Sequence, residues 1–251
     1  MNNNFPKKKV VAIVQARMDS SRLPGKVLKE ILDKSLLEYL IERIEKSTLL
    51  DEIIIATSHK SCDDIIQKFC NEKYIKCFRG SENDVLSRFY EAATESKADY
   101  IIRICADSPV IDFSLIDELI SEFTEKSHNC DYLSNTINQT YPLGMNVEIF
   151  TSQALKKAYI NAKTLYEREH VTPYIYSHPK QFSIGQKHLD KDMSFLRLTV
   201  DEQKDFELIK YIIEELYPTN PNYTLSDILN LYDKNPEIFK INSNVKQTFS
   251  S

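Results

Sequence analysis

The chain has 251 residues, 42% hydrophobic and 27% charged, with a formal net charge of −5. That is the composition of a soluble globular protein long enough to bury a full core. The acidic balance argues against a nucleic-acid surface but leaves room for a local basic pocket that takes a small anion, and no stretch approaches the roughly 18 apolar residues of a membrane span.

The first half alternates strand and helix. "KVVAIVQA" (9–16) is short, apolar and β-branched, as a fully buried strand should be. Leu36, Leu37, Leu40, Ile41 and Ile44 recur at helical spacing behind Ser35, a good N-cap. "DEIIIATS" (51–58) predicts the next strand, Ser61 opens a helix to about Asn71, and "YIKCF" (74–78) predicts a third strand. Val85, Leu86, Phe89, Tyr90 and Ala93 give an amphipathic helix. "DYIIRICA" (99–106) is again a strand, and Ser114 is the expected cap of a helix carrying Leu115, Ile116, Leu119, Ile120 and Phe123.

After Cys130 the pattern loosens. Residues 131–151 read as two extended pieces around Tyr141-Pro142-Leu143-Gly144, followed by a helix from about Ser152. Thr164 and Glu167 make a capping box, and Pro173 should kink or end its helix. "FLRLTV" (195–200) predicts a strand, 202–216 a strong helix and 224–232 a shorter one, with a frayed tail after Ile241. "DKD" at 190–192 has no apolar strand leading into it and reads as a loop. This order predicts an α/β fold, Rossmann-like, with a mostly parallel sheet covered by helices on both faces. We read one domain over 1–251, with an inserted segment near 131–190.

The five cysteines (Cys62, Cys70, Cys77, Cys105, Cys130) form no CxxC pair and are odd in number, which favours reduced thiols over a disulfide framework or a zinc site. A cytoplasmic location fits that reading. The polar Met1–Pro6 and the short apolar run after Lys9 do not make a signal peptide.

Chemistry concentrates in "QARMDSSRLPGKVL" (15–28), directly after the first strand. Ligands of open parallel sheets sit outside the carboxyl ends of the strands. Arg17, Arg22 and Lys26 place three cations there, Ser20 and Ser21 add hydroxyls, and Gly25 allows close backbone approach. Arginine forks and a lysine ammonium bind phosphate oxygens well, so the loop is expected to wrap a polyphosphate; the bland alternative is a solvated surface loop. It is not a P-loop, because Val27 follows the lysine, and four glycines in the whole chain exclude a dinucleotide fingerprint.

Asp107 and Asp201 each follow a predicted strand and so could face the same sheet edge. Two carboxylates beside a basic loop suit Mg²⁺ carrying a nucleotide; the alternative for each is a turn or helix cap. Arg103, inside an apolar strand, needs an acid or a phosphate as partner.

The loop, together with "IIIATS", "FRGSENDVLSRFYEAA", "YIIRICADSPVID", "YPLGMNVEIFT", "EREHVTPYIY" and "LRLTVDEQKDFELI", resembles the sugar cytidylyltransferases, the superfamily of the KDO and acylneuraminate enzymes. It is most similar to the SpsF-type spore-coat polysaccharide branch, and the resemblance covers about residues 9–216. The resemblance implies an enzyme that moves CMP from CTP to a sugar acid or sugar phosphate and releases pyrophosphate. It implies a triphosphate held by Arg17, Arg22 and Lys26, with Ala16 beside the nucleotide and Mg²⁺ on Asp107 and Asp201. Thr57, Ser58, Arg79, Ser81 and Arg103 are implied on the nucleotide side, with the first two and Ser81 toward base or ribose. Tyr141, Gly144, Glu148, Arg168, Glu169 and His170 are implied at the acceptor pocket, the alternative for Arg168 and His170 being a solvated helix face and a core-edge histidine, and a homodimer is implied, pairing through 131–190. Open alternatives are another nucleoside triphosphate, a glycosyltransferase using a nucleotide sugar, and a silent nucleotide-binding module.

Overall fold

A computed structural model describes residues 7–126 and 130–247. Met1–Pro6 and the last four residues of the tail lie outside the described residues.

Strand β1 (Val10–Gln15) is buried almost throughout. The basic loop leads to a small ribbon, β2 (Glu30–Ile31) and β3 (Lys34–Ser35). There follow α1 (Leu36–Ile44), β4 (Glu52–Ser58), α2 (Asp64–Glu72), β5 (Lys76–Gly80), α3 (Val85–Glu95), β6 (Tyr100–Cys105) and α4 (Phe113–Glu125). The second half supplies β7 (Tyr132–Ser134), β8 (Glu148–Thr151), α5 (Ser152–Asn161), α6 (Leu165–His170), α7 (Pro173–Tyr176), β9 (Ile184–Gln186), α8 (Gln203–Leu216) and α9 (Leu225–Lys234).

Seven strands form one sheet in the order β5-β4-β1-β6-β8-β7-β9. The first four are mutually parallel, β8 runs antiparallel to both β6 and β7, and β9 is parallel to β7. Segment 131–190 thus extends the main sheet. Alternation along β1 divides the core. Val10, Ala12 and Val14 belong to one apolar cluster with residues of α1, α4, α8 and α9, whereas Val11 and Ile13 belong to a second with residues of α3, α5 and α7. A strand covered by helices on both faces needs apolar residues at every position, which is why β1 reads as an unbroken run.

Four local expectations are corrected. The third strand begins at Lys76 rather than Tyr74, because Tyr74 has φ 57° in the turn that ends α2. The cap of α4 is Asp112, whose carboxylate accepts from Ser114 N at 2.8 Å and from Leu225 N at 2.7 Å, tying α9 to α4. The capping box at Thr164 forms as expected, and α6 ends at His170, with Val171 at φ 72° and Pro173 opening the next helix.

"FLRLTV" forms no strand of the sheet. Its one bridge joins Arg197 to Leu143, through Leu143 N to Leu196 O at 3.0 Å and Leu198 N to Leu143 O at 2.7 Å. Leu196, Leu198 and Val200 are buried, so the apolar pattern reports burial and not pairing. The tail is not free up to Gln247. Asn242 is buried and donates to Arg197 O and to Asp205, both at 2.9 Å.

Candidate active site

The basic loop leaves the carboxyl end of β1. Met18 N donates to Asp63 at 2.7 Å, anchoring the loop to the start of α2. Gly25, at φ 69°, closes the turn and starts the short helical turn that carries Lys26. The ammonium of Lys26 donates to Asp201 Oδ1 at 2.8 Å, Asp107 Oδ2 at 3.1 Å and Val200 O at 2.6 Å. All three of its N–H groups have a partner. Burial would lower the Lys26 pKa, but the two aspartates outweigh it and hold the pKa above its ordinary value.

Asp201 reaches this point although its segment is not a strand. Val200 N donates to Asp107 O at 2.8 Å, laying the segment beside the end of β6. Gly144, at φ 97°, lets the chain pass: a Cβ there would stand 2.4 Å from Leu198 O. Three cations surround Asp201, since Arg22 (3.0 Å) and Arg197 (2.5 Å) bind its second oxygen. Burial works against the carboxylate, yet these cations, Lys26 foremost, keep its pKa below the usual range. Arg197 also binds Asp205 at 2.8 Å and Gln247 at 2.5 Å.

A cleft with two lobes opens around these residues. The smaller, about 250 Å³, is lined by the basic loop with Gln15, Arg88, Glu169 and His170. The larger, about 820 Å³, is lined by Arg103, Glu148, Gly144, Asn146, Gln139 and Thr136 among others. Arg22, Cys105, Asp107 and Asp201 line both lobes, so the aspartates stand where the lobes meet.

The structure therefore gathers Ala16, Arg17, Arg22, Lys26, Asp107 and Asp201 at one place. Arg103 opens into the larger lobe and pairs with Glu148, its cross-strand neighbour, which also accepts from Tyr132 Oη and Thr172 Oγ1, each at 2.6 Å. Glu169 and His170 line the loop's lobe and not the larger one. Burial lowers the His170 pKa, and Arg103 adds to it against Glu169 and Glu148.

Other expected residues are engaged elsewhere. Arg79 donates to Ser58 O at 2.8 Å and Lys60 O at 2.7 Å and pairs with Asp64 at 2.6 Å. Ser58 is bound to Asp63, and Ser81 Oγ accepts from Asp84 N at 3.1 Å. Thr57 and Tyr141 are buried. Arg168 pairs with Asp84 and donates to Tyr159 O at 2.8 Å. None of these six side chains lines either lobe.

Sequence reasoning passed over Arg88, Arg197 and Gln15. Arg197 carried the same signal as Arg103, a cation within an apolar run. Arg88 lies three residues after Val85 on the apolar face of α3, but nothing local says whether such an arginine has a partner.

A doubly wound sheet with a basic loop and two aspartates at one edge defines a nucleotidyltransferase-type α/β protein. Residues 11–245 match the cytidylyltransferase family, and the chain belongs to it. A protein of Methanocaldococcus jannaschii is 43% identical over 95% of this chain and 96% of its own. The spore coat polysaccharide biosynthesis protein SpsF of Bacillus subtilis is 33% identical over 91% of this chain and 95% of its own. A solved cytidylyltransferase from Leptospira borgpetersenii superposes with a TM-score of 0.89 at 31% identity, covering 98% of this chain and all of that one. The family and the fold expected from the sequence are thus the ones found. Among the described residues no helix is long and apolar enough to cross a membrane.

Proposed function

We propose that this protein transfers CMP from CTP to an oxygen of a sugar acid or sugar phosphate and releases pyrophosphate. The observation that carries the reading is Lys26 held jointly by Asp107 and Asp201 where a loop-lined lobe meets a larger one. The smaller lobe suits the nucleotide tail, and the larger suits a polyhydroxylated acceptor, with Asn146, Gln139 and Thr136 as hydrogen-bonding groups.

An acceptor oxygen attacks the α-phosphorus in line, the bond from that phosphorus to the bridging oxygen breaks, pyrophosphate leaves with the electron pair, and the proton of an attacking hydroxyl is released to water. Arg17, Arg22 and Lys26 hold the phosphates and stabilise the charge that develops on the leaving group. Asp107 and Asp201 would hold Mg²⁺. The donor set fits: their carboxylate oxygens and Val200 O converge on one ammonium, and Mg²⁺ takes one or two carboxylates while keeping water and phosphate oxygens. When bound, that ion would supply charge neutralisation for the triphosphate and Lewis acidity at the reacting centre.

The test is pyrophosphate release from each nucleoside triphosphate with Mg²⁺ and a panel of sugar acids and sugar phosphates. CTP with one acceptor class is expected to react. Release with UTP or GTP but not CTP would replace the base, and turnover of a nucleotide sugar without pyrophosphate would replace the reaction. Chelation should abolish release; activity retained in excess EDTA would remove the metal.

A further inference from the structure

The smaller lobe contains a cation that the reading above does not use. Arg88, from α3, is only 2% exposed, and its stem lies against Gly80, where a Cβ would meet Arg88 Cγ at 3.2 Å. Its Nε and Nη1 are buried without a hydrogen-bond partner among the described residues. The nearby acids do not bind it. Asp63 is committed to Met18 N and Ser58, and Glu82 is paired with Lys60 at 2.6 Å. Burial first, then the like charge of Arg17, pushes the Arg88 pKa down to about 10. Arg17 lines the same lobe, exposed, with no hydrogen bond or ion pair among the described residues.

Arg22 and Lys26, by contrast, already hold acids. A phosphate reaching them must compete with carboxylates, whereas one reaching Arg17 and Arg88 meets two guanidinium groups that no acid among the described residues binds directly. A buried, unpaired guanidinium is costly. It is retained most simply where an incoming anion completes it, and the planar fork matches phosphate oxygens.

We propose that Arg88 is a phosphate-binding residue, closing with Arg17 on the polyphosphate of the nucleotide from the α3 side of the lobe. The proposal rests on the nucleotide reading of this lobe, but its test needs neither cytosine nor acceptor.

The test is calorimetric titration of the full chain with inorganic pyrophosphate, and separately with cytidine, in the presence of EDTA. Losing charge-assisted hydrogen bonds should weaken pyrophosphate binding by Arg88→Met about tenfold or more. Arg88→Lys should recover part of the loss. Thermal melting supplies a readout that a purely structural arginine would move the other way. The ligand-free Arg88→Met protein should melt at or above the wild-type temperature, because an uncompensated buried charge has gone, and pyrophosphate should protect wild type more than the variant. Pyrophosphate affinity unchanged in Arg88→Met, or an Arg88→Met protein that melts lower or fails to fold, would overturn the proposal. So would loss of cytidine binding with pyrophosphate binding intact. If Arg88→Met loses pyrophosphate affinity but no triphosphate and acceptor pair reacts, the anion site stands and the transfer reading falls.

Discussion

Arg103 on β6 and Glu148 on β8 are directly opposed across an antiparallel pair, so the cation inside an apolar strand is neutralised by its cross-strand neighbour. Burial would pull the guanidinium pKa down, and the glutamate reverses this. Because Glu148 also accepts from Tyr132 and Thr172, one carboxylate organises the wall of the larger lobe.

Replacing Glu148 with Gln should leave a buried positive charge and weaken several hydrogen bonds. We expect a loss of about 3–5 kcal/mol in urea unfolding, with the Arg103→Met, Glu148→Met double variant recovering part of it. A single variant within about 0.5 kcal/mol of wild type would show that the pair has no structural weight.

Asp107 is the more exposed of the two shared aspartates. Asp107→Asn keeps the shape and removes a charge from the expected Mg²⁺ site. Turnover should fall by about 100-fold or more, with the melting temperature near that of wild type. A near-normal rate would take Asp107 out of the chemistry.

Gly144 should not tolerate a side chain. Gly144→Ala combines φ 97° with a Cβ only 2.4 Å from Leu198 O, so the 196–201 segment must shift and carry Asp201 with it. Strain of this kind costs about 1–3 kcal/mol, and pyrophosphate release should fall further than stability alone explains. A Gly144→Ala protein with wild-type stability and rate would contradict the close approach.

Acid should weaken the ligand-free fold in two stages. The folded His170 pKa lies below its ordinary 6.5. As pH falls through that value the unfolded chain takes up the proton first, and stability drops. Asp201, held below its ordinary 3.8, contributes stability that is present above the unfolded value and is lost only at lower pH, through its folded one. Melting temperatures between about pH 7.5 and 5 should decline less in His170→Gln than in wild type. A steeper decline in that variant would reverse the assigned sign.

Pattern alone revealed β1, β4 and β6, because strands buried on both faces must be apolar throughout. It also exposed the basic loop and both aspartates, since cations packed after a buried strand and acids after apolar runs are local features. It misplaced 195–200, whose buried aliphatic residues share a core with α8 without joining the sheet. It left Arg79 and Arg168 indistinguishable from Arg17, although both are neutralised by acids, Asp64 and Asp84.

What the sequence by itself determined was the order of elements, the identity of the family and the kinds of groups at the sheet's edge. Only the tertiary structure decided which cations are already paired. An arginine's charge is set by its side chain, but its availability depends on whether an acid distant in the chain reaches it. Arg103 and Arg88 both lie within apolar stretches of sequence, and among the described residues only the first is paired with an acid.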